Sequence, residues 1–484
     1  MRSGKDYLSA LNDDRAVFVG GARVDSIAEH PAFVGIASSM AHLFDRAGEA
    51  DMRVVTPEAP DPANVTFAIP RSREDLIRRR EGITTWARMS HGFLGRSPDH
   101  VAGFLAGFAS AAGLFDREGR EFSQNVTRFY ERLLAEDLYV TYVIIPPQVT
   151  RSGTAASWDE ELIQVGVAEE REDGIVVRGS QMLGTGTAVA DYLLVSCIKP
   201  LTPADERYAL TFVVPVATPG LKVYCRRPYA EGQPSLFDYP LSTQFDESDA
   251  LVVFDDVFVP WESVFVYRDV DMVRSQFFST AAHVLGNTQA QIRLIEKMKF
   301  LLGLARHTAA MNGIDQMPPV QEKLGDLASL AAIVEGMVIA SEATSSIDDH
   351  GVARPNPRFL YGAMGLQSEI YPRTLQTIRE LVGGGVIQLP SSRAELLDPE
   401  TRADMDRYVR SPGYEAVDRI KLFKLVWDAI GSEFAGRHHQ YEMFYAGAPF
   451  VAKGYAYRNY GYDEPMAAVQ SFLDSYGLES EVGS

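Results

Sequence analysis

The sequence predicts an α+β chain in three parts: a mainly helical N-terminal domain over residues 1–142, a central antiparallel β domain over 143–268, and a C-terminal bundle of long helices over 269–484. Three observations predict it. Apolar residues recur at helical spacing in the first part, short β-branched or alternating runs separated by turn residues fill the second, and much longer helical runs fill the third.

Within the first part, helical spacing runs through "REDLIRRREGITTWARMSHGFL", the stretch from Ser97 to Phe115, and "SQNVTRFYERLLAEDL". Ser97 suits an N-cap, Pro98 the first helical position, and Asp99 the positive end of the helix dipole. A short apolar element, "YVTYVIIPPQV", then ends in a double proline that breaks regular structure. The second part holds "LIQVGVAEE", "GIVVRGSQML", "DYLLVSCIKP", "YALTFVVPV", "LKVYCRRP" and "LVVFDDVFVP". These runs lie too close together for crossover helices, which predicts a mostly antiparallel sheet or small barrel. The third part holds three long helical segments, over 278–311, 319–347 and 416–447, suited to a bundle.

Composition narrows the function. The 484 residues are 46% hydrophobic and 23% charged, ordinary for a globular chain, and 46 basic against 65 acidic residues give a net charge of −19. Such a balance argues against general nucleic-acid binding, which needs basic surfaces. The N-terminus has no apolar signal core and no window reaches 18 uninterrupted apolar residues, so the expectation is a cytoplasmic protein without a membrane segment. Two cysteines, Cys197 and Cys225, cannot build a metal cluster or a disulfide framework, and both sit in strand-like runs where a buried thiol is the plain expectation. There is no GxxxxGK[ST] loop and no GxGxxG opening a helix; "GTGTAV" from Gly184 has valine where the third glycine belongs. HExxH, GxSxG and Cys/His clusters are absent as well.

One stretch raises a question of its own. In "LGRSPDH", residues 94–100, Arg96 precedes a helix cap and His100 sits in the first turn, so two basic groups share one positive helix end. An anion, or a need for a neutral imidazole, would explain both. Read alone, the residues have plainer roles: Arg96 in an ion pair with Asp99 or another carboxylate, His100 as a capping or core histidine, Tyr142 as core.

The helix–β–helix order is that of the acyl-CoA dehydrogenase architecture, and within it the chain resembles the oxygenase component of the 4-hydroxyphenylacetate 3-monooxygenase family. The resemblance rests on "GRSPDH", "PPQVTRS", "MLGTG", "HVLGNTQAQIRLIEKMKFLLGLA", "LVGGGVIQLPSS" and "YEMFYAGAP", in that order along nearly the whole chain, and on the opening "YLSALNDDRAVFVGGARVDSIAEHPAF". It implies an FADH2-dependent two-component monooxygenase that hydroxylates a phenol-type or hydroxypyridine-type ring ortho to its hydroxyl through a flavin C4a-hydroperoxide. Molecular oxygen would be the co-substrate, a separate NAD(P)H-dependent flavin reductase would supply FADH2, and the assembly would be a homo-oligomer, a tetramer. An iron–sulfur dehydratase of the same fold group needs cluster ligands that two cysteines cannot provide. Two readings compete: a FAD-dependent dehydrogenase or isomerase of CoA thioesters on the same fold, and a helical scaffold without activity.

The resemblance also implies roles for single residues. Arg96, His100 and Tyr142 would surround the hydroxyl end of the substrate, although the family has tyrosine where His100 stands and histidine where Tyr142 stands. Arg96 would hold an aromatic oxyanion, His100 would accept its proton, and Tyr142 would orient the substrate or donate to the flavin. Tyr142, Ile144, Gln148, Val149, Thr150, Arg151, Thr185, Tyr445, Ala446, Gly447 and Ala448 would line the flavin. Thr185, between glycines, would let the backbone approach the isoalloxazine edge; a plain β-turn competes there, a surface loop at 146–152, and a helix C-cap before proline at 445–449. His283 and Asn287 are expected to be structural. His438 and His439 point about 100° apart on a helix, which predicts a solvated or interface position rather than a metal pair.

Overall fold

The structure, a computed structural model, describes residues 1–117, 119–149, 153–158, 160–229, 235–445 and 447–478. The first long helix, Arg73–Met89, opens on Ser72, whose hydroxyl accepts from the Asp75 amide while the Asp75 carboxylate accepts from the Ser72 N–H. Helices Pro98–Ser110 and Phe122–Glu136 follow where the spacing predicts them. Ser97 departs from expectation. Its side chain makes no cap hydrogen bond and instead donates to the Asp99 carboxylate at 2.5 Å. Asp99 is buried, and a buried carboxylate needs donors.

Two sheets form the centre. The larger runs, in spatial order, Ala22–Arg23, Ala16–Val19, Leu221–Cys225, Ala250–Pro260, Gly174–Gln181 and Gly166–Glu170. The smaller runs Val264–Tyr267, Leu210–Pro215, Tyr192–Val195 and Val140–Val143. Pairing is antiparallel except that Ala16–Val19 lies parallel to Leu221–Cys225 and Val140–Val143 parallel to Tyr192–Val195. The helical N-terminal part thus contributes strands to both sheets. Inward rings such as Phe212 and Phe254, 6.1 Å apart, are fully buried in the core.

The C-terminal part holds Ala282–Met311, Pro318–Ala343 and Pro357–Val382, packed side by side. The last of these was not among the expected helices, because Pro372 lies inside it. The segment expected over 416–447 is two helices, Ala416–Ile430 and Glu433–Phe444, broken at Gly431 with Ser432 as the new N-cap. Pro318–Ala343 is apolar enough to span a membrane by length and composition, yet it packs against both neighbours and keeps Ile333 and Ile339 exposed on its free side.

Small residues seat the Pro98–Ser110 helix on Ala282–Met311. A Cβ on Gly107 would lie 2.2 Å from the Ala282 nitrogen, and one on Gly103 would lie 3.2 Å from Gly286 backbone atoms. Gly107→Ala is therefore expected to cost about 1–3 kcal/mol through overpacking, read as a lowered denaturant midpoint. An unchanged midpoint would contradict the close approach.

Candidate active site

Arg96 is held from both sides of its backbone. Its N–H donates to Glu247 Oε1 at 2.5 Å and its carbonyl accepts from the Tyr139 hydroxyl at 2.6 Å. The guanidinium donates to the Tyr142 hydroxyl at 3.0 Å and lies over the rings of Tyr445, Tyr142 and Tyr441, at 4.3, 5.0 and 5.3 Å from their centroids. Arg96 is only 7% exposed and no carboxylate among the described residues lies within ion-pair distance of it. The plainer reading, an ion pair with Asp99, does not hold, because Ser97 and Gln289 take that carboxylate. Three tyrosine faces soften the burial of this cation, but its charge is left for an anion to balance.

His100 lies 1% exposed beside this cage. Its ring packs against Phe104, Tyr142 and Tyr445 at 5.2, 5.5 and 5.8 Å, its Nδ1 is 3.1 Å from Gln289 Oε1, and its Nε2 is buried with no hydrogen-bond partner among the described residues. Burial first, and then the Arg96 charge, hold the imidazole pKa well below its usual value, so the ring is neutral near pH 7. The Tyr441 hydroxyl is likewise buried without a partner among the described residues. The strand Val140–Val143 brings in Tyr142, which is half-buried.

Two ionic clusters support the cage. Behind Tyr445, the Arg293 guanidinium meets Glu442 with two 2.7 Å contacts, Lys297 donates to the same carboxylate at 2.9 Å, and Gln367 donates to it at 2.7 Å. Burial pushes the Lys297 ammonium down to about 7 despite that neighbour. On the other side, Arg437 donates to Asp249 at 2.8 and 3.0 Å and to Glu247 at 3.4 Å, while Arg226 also donates to Asp249, at 3.0 Å. Glu247 therefore joins this cluster directly to the Arg96 backbone.

The remaining expected flavin residues divide. Ile144 is buried, its carbonyl taken by the Ile198 amide at 3.1 Å, and Gln148 and Val149 are exposed on the irregular segment after the double proline. Thr150, Arg151 and Ala446 lie outside the described residues. Thr185 is buried and donates to Asp249 at 2.7 Å. Its flanking glycines do not open the backbone to a ligand as expected: a Cβ on Gly184 would lie 2.7 Å from Thr187 Oγ1, and one on Gly186 2.6 Å from the Tyr139 hydroxyl. Protein groups already fill that space, although the Thr185 oxygen keeps lone pairs for a ring N–H. Tyr445 donates to the Gly95 carbonyl at 2.5 Å. Tyr445 is the C-cap of Glu433–Phe444, Gly447 turns the chain at φ +94°, and Ala448 is the N-cap of the next helix, Pro449–Asn459.

His283 hydrogen-bonds the Tyr361 hydroxyl at 2.9 Å and Asn287 donates to the His283 carbonyl at 2.8 Å, both structural roles. Of the solvated or interface position expected for His438, the solvated alternative is corrected. It is buried beside Phe93 and Phe434, with Nδ1 3.0 Å from Lys297 Nζ, because Lys297 needs a second polar partner in an apolar setting. His439 is half-buried. Cys197 is buried, Cys225 half-buried, and burial pushes both thiols up to about 11. Sequence reasoning missed Gln289, Tyr441, Glu247, Asp249, Arg293 and Arg437. Nothing in their spacing marks them; only Gln289, Arg293 and Tyr441 fall inside stretches that carry the resemblance.

A caged cation, a neutral buried imidazole and acceptor oxygens beside an irregular segment fit an aromatic anion next to a flavin ring, whose N–H groups need acceptors. The family description "4-hydroxyphenylacetate 3-hydroxylase N terminal" matches residues 3–266, and its C-terminal counterpart matches residues 273–474. The chain is 32% identical to the "4-hydroxyphenylacetate 3-monooxygenase oxygenase component" of Geobacillus sp. (strain PA-9), over 98% of this chain and 96% of that one. It is 33% identical to the "4-nitrophenol 2-monooxygenase, oxygenase component" of Rhodococcus sp., over 92% and 86%. A crystal structure of the oxygenase component of 4-hydroxyphenylacetate 3-monooxygenase with FAD and 4-hydroxyphenylacetate superposes at a TM-score of 0.93, with 31% identity over 98% of this chain and 99% of that one. Fold, site and likeness define a flavin-dependent aromatic monooxygenase with FAD as cofactor and oxygen as co-substrate. Within that class, the chain belongs to the 4-hydroxyphenylacetate 3-hydroxylase family.

Proposed function

We propose that this chain is the oxygenase half of a two-component system, hydroxylating a phenol-type or hydroxypyridine-type ring ortho to its hydroxyl with FADH2 supplied by a separate flavin reductase. The observation that carries this reading is the buried guanidinium of Arg96, without an ion-pair partner among the described residues and next to the neutral ring of His100. Bound FADH2 supplies the electrons that activate oxygen, of which one atom enters the ring and the other leaves as water. Arg96 and the Tyr142 hydroxyl hold the ring oxygen, and His100 takes its proton. An aromatic ring bearing O⁻ is far more nucleophilic than the phenol, and proton removal by a placed base is worth roughly 10²–10⁴-fold in rate. Gln148 and Val149, with the neighbouring Thr150 and Arg151, are proposed to border the flavin, as are Ile144, Thr185 and the 445–448 turn.

The same reading places the enzyme in the cytoplasm as a homo-oligomer, a tetramer. The Asp463–Leu473 helix supports self-assembly: it buries none of its residues, and Met466, Val469, Phe472 and Leu473 are all exposed. The competing CoA-thioester reading gives way to the family match along the whole chain.

Purified protein with NADH alone is expected to turn nothing over, and adding a flavin reductase, FAD and oxygen is expected to give a catechol-type product. Turnover with NADH and no reductase would refute the two-component reading.

A further inference from the structure

Which nitrogen of His100 carries the proton decides whether that ring can accept another. Gln289, on the Ala282–Met311 helix, settles it through hydrogen bonds that permit one arrangement. Its Nε2 lies 3.1 Å from Ser97 Oγ and 3.1 Å from Asp99 Oδ1. Burial lifts the Asp99 carboxyl to about 6, so at pH 7 and above it is ionised and can only accept, and Ser97 spends its own proton on it at 2.5 Å. Both groups therefore demand the NH2 side of the amide, and an amide oxygen turned toward them would face acceptors alone.

With the amide fixed, its oxygen faces His100 Nδ1 at 3.1 Å. A carbonyl oxygen cannot donate, so Nδ1 bears the hydrogen. A neutral imidazole has only one, which leaves Nε2 bare, and Nε2 is the buried ring atom without a partner among the described residues.

We propose that Gln289 is a positioning residue: clamped by Ser97 and Asp99, it holds His100 in the Nδ1–H tautomer and keeps Nε2 free to receive the hydroxyl proton of the aromatic substrate. The step balances without any redox change. The substrate O–H bond breaks, an N–H bond forms at Nε2, and the products are an imidazolium and a ring oxyanion beside Arg96. The identity of the proton rests on the hydroxylase reading above; the tautomer does not.

Neutron diffraction from deuterium-exchanged crystals of the unaltered protein reads the tautomer directly. Deuterium on Nδ1 and none on Nε2 is expected; deuterium on Nε2 overturns the proposal. Kinetics then test the role. Gln289→Met, which keeps the bulk and removes the acceptor, should hydroxylate an ordinary phenol at least ~10-fold more slowly, and the same comparison with 4-nitrophenol at pH 8, which arrives ionised, should shrink to within about 3-fold. An equal loss on both substrates overturns the positioning role, since a merely loosened pocket does not distinguish them. Should no phenol be hydroxylated by the unaltered enzyme, the hydroxylase reading fails while the neutron map still decides the tautomer.

Discussion

Arg96→Ala is expected to lower kcat/KM for ring hydroxylation by roughly 10²–10³-fold, the loss typical when one preorganised oxyanion donor is removed. The guanidinium lies over three tyrosine rings and forms no ion pair with a carboxylate among the described residues. In the resting protein its charge is therefore balanced by ring faces, the Tyr142 oxygen and the field of Glu247, whose carboxylate takes the Arg96 backbone N–H. Removing it forfeits three ring contacts but also ends the burial of a cation that forms no ion pair among the described residues, and the unfolding midpoint is expected to move little. A large rate loss without a stability loss is the signature of a group held ready for an anion. Arg96→Lys should recover only part of the rate, because an ammonium keeps the charge and loses both the planar fork and the stacking on Tyr445. Steady-state kinetics beside denaturant unfolding separate the two effects.

Glu442→Gln is expected to do the reverse: unfold the protein first. Glu442 is fully buried and is the sole carboxylate meeting both Arg293 and Lys297 among the described residues. Taking its charge away strands the buried Arg293 guanidinium and removes the neighbour that favours the charged form of Lys297, a change worth about 3–5 kcal/mol. The effect has a pH signature. Burial alone would raise this carboxyl, but Arg293 and Lys297 overcome it and hold the pKa down to about 2, from 4.5. A lowered carboxyl pKa stabilises fully above the unfolded value and loses its contribution as pH falls through the folded one. The stability gap between the unaltered protein and Glu442→Gln should thus be full above about pH 4.5 and narrow toward pH 2. A constant gap across that window would show that the carboxylate does not act by charge.

Much of this architecture is legible because its signals are local. Pro98 at a first helical position and the small apolar residues after it mark the helix that carries His100. The Val140–Val143 strand and the break after Ile145 follow from β-branched residues meeting two prolines. What escaped depends on partners far along the chain. Ala16–Val19 is four residues whose strand partner, Leu221–Cys225, lies some two hundred positions on. Pro357–Val382 hides behind Pro372, a breaker by local rules that the packed bundle tolerates. The 100° between adjacent helical residues rules out a metal pair at His438 and His439 but does not place His438, which Phe93, Phe434 and Lys297 enclose from elements that no local pattern brings together. Within the site, Arg96 and His100 stand out in the sequence as two basic groups at one helix end, but the tyrosine cage and the Gln289 clamp exist only after folding.

The central claim is that this corner of the protein turns a phenol into its oxyanion. The most direct measurement is the absorption of 4-nitrophenol bound to the enzyme with reduced FAD under anaerobic conditions, at a pH below the dye's own pKa. The phenolate band is expected with the unaltered protein and should be lost with Arg96→Ala and with His100→Gln. A bound dye that keeps the spectrum of the neutral phenol would contradict the account.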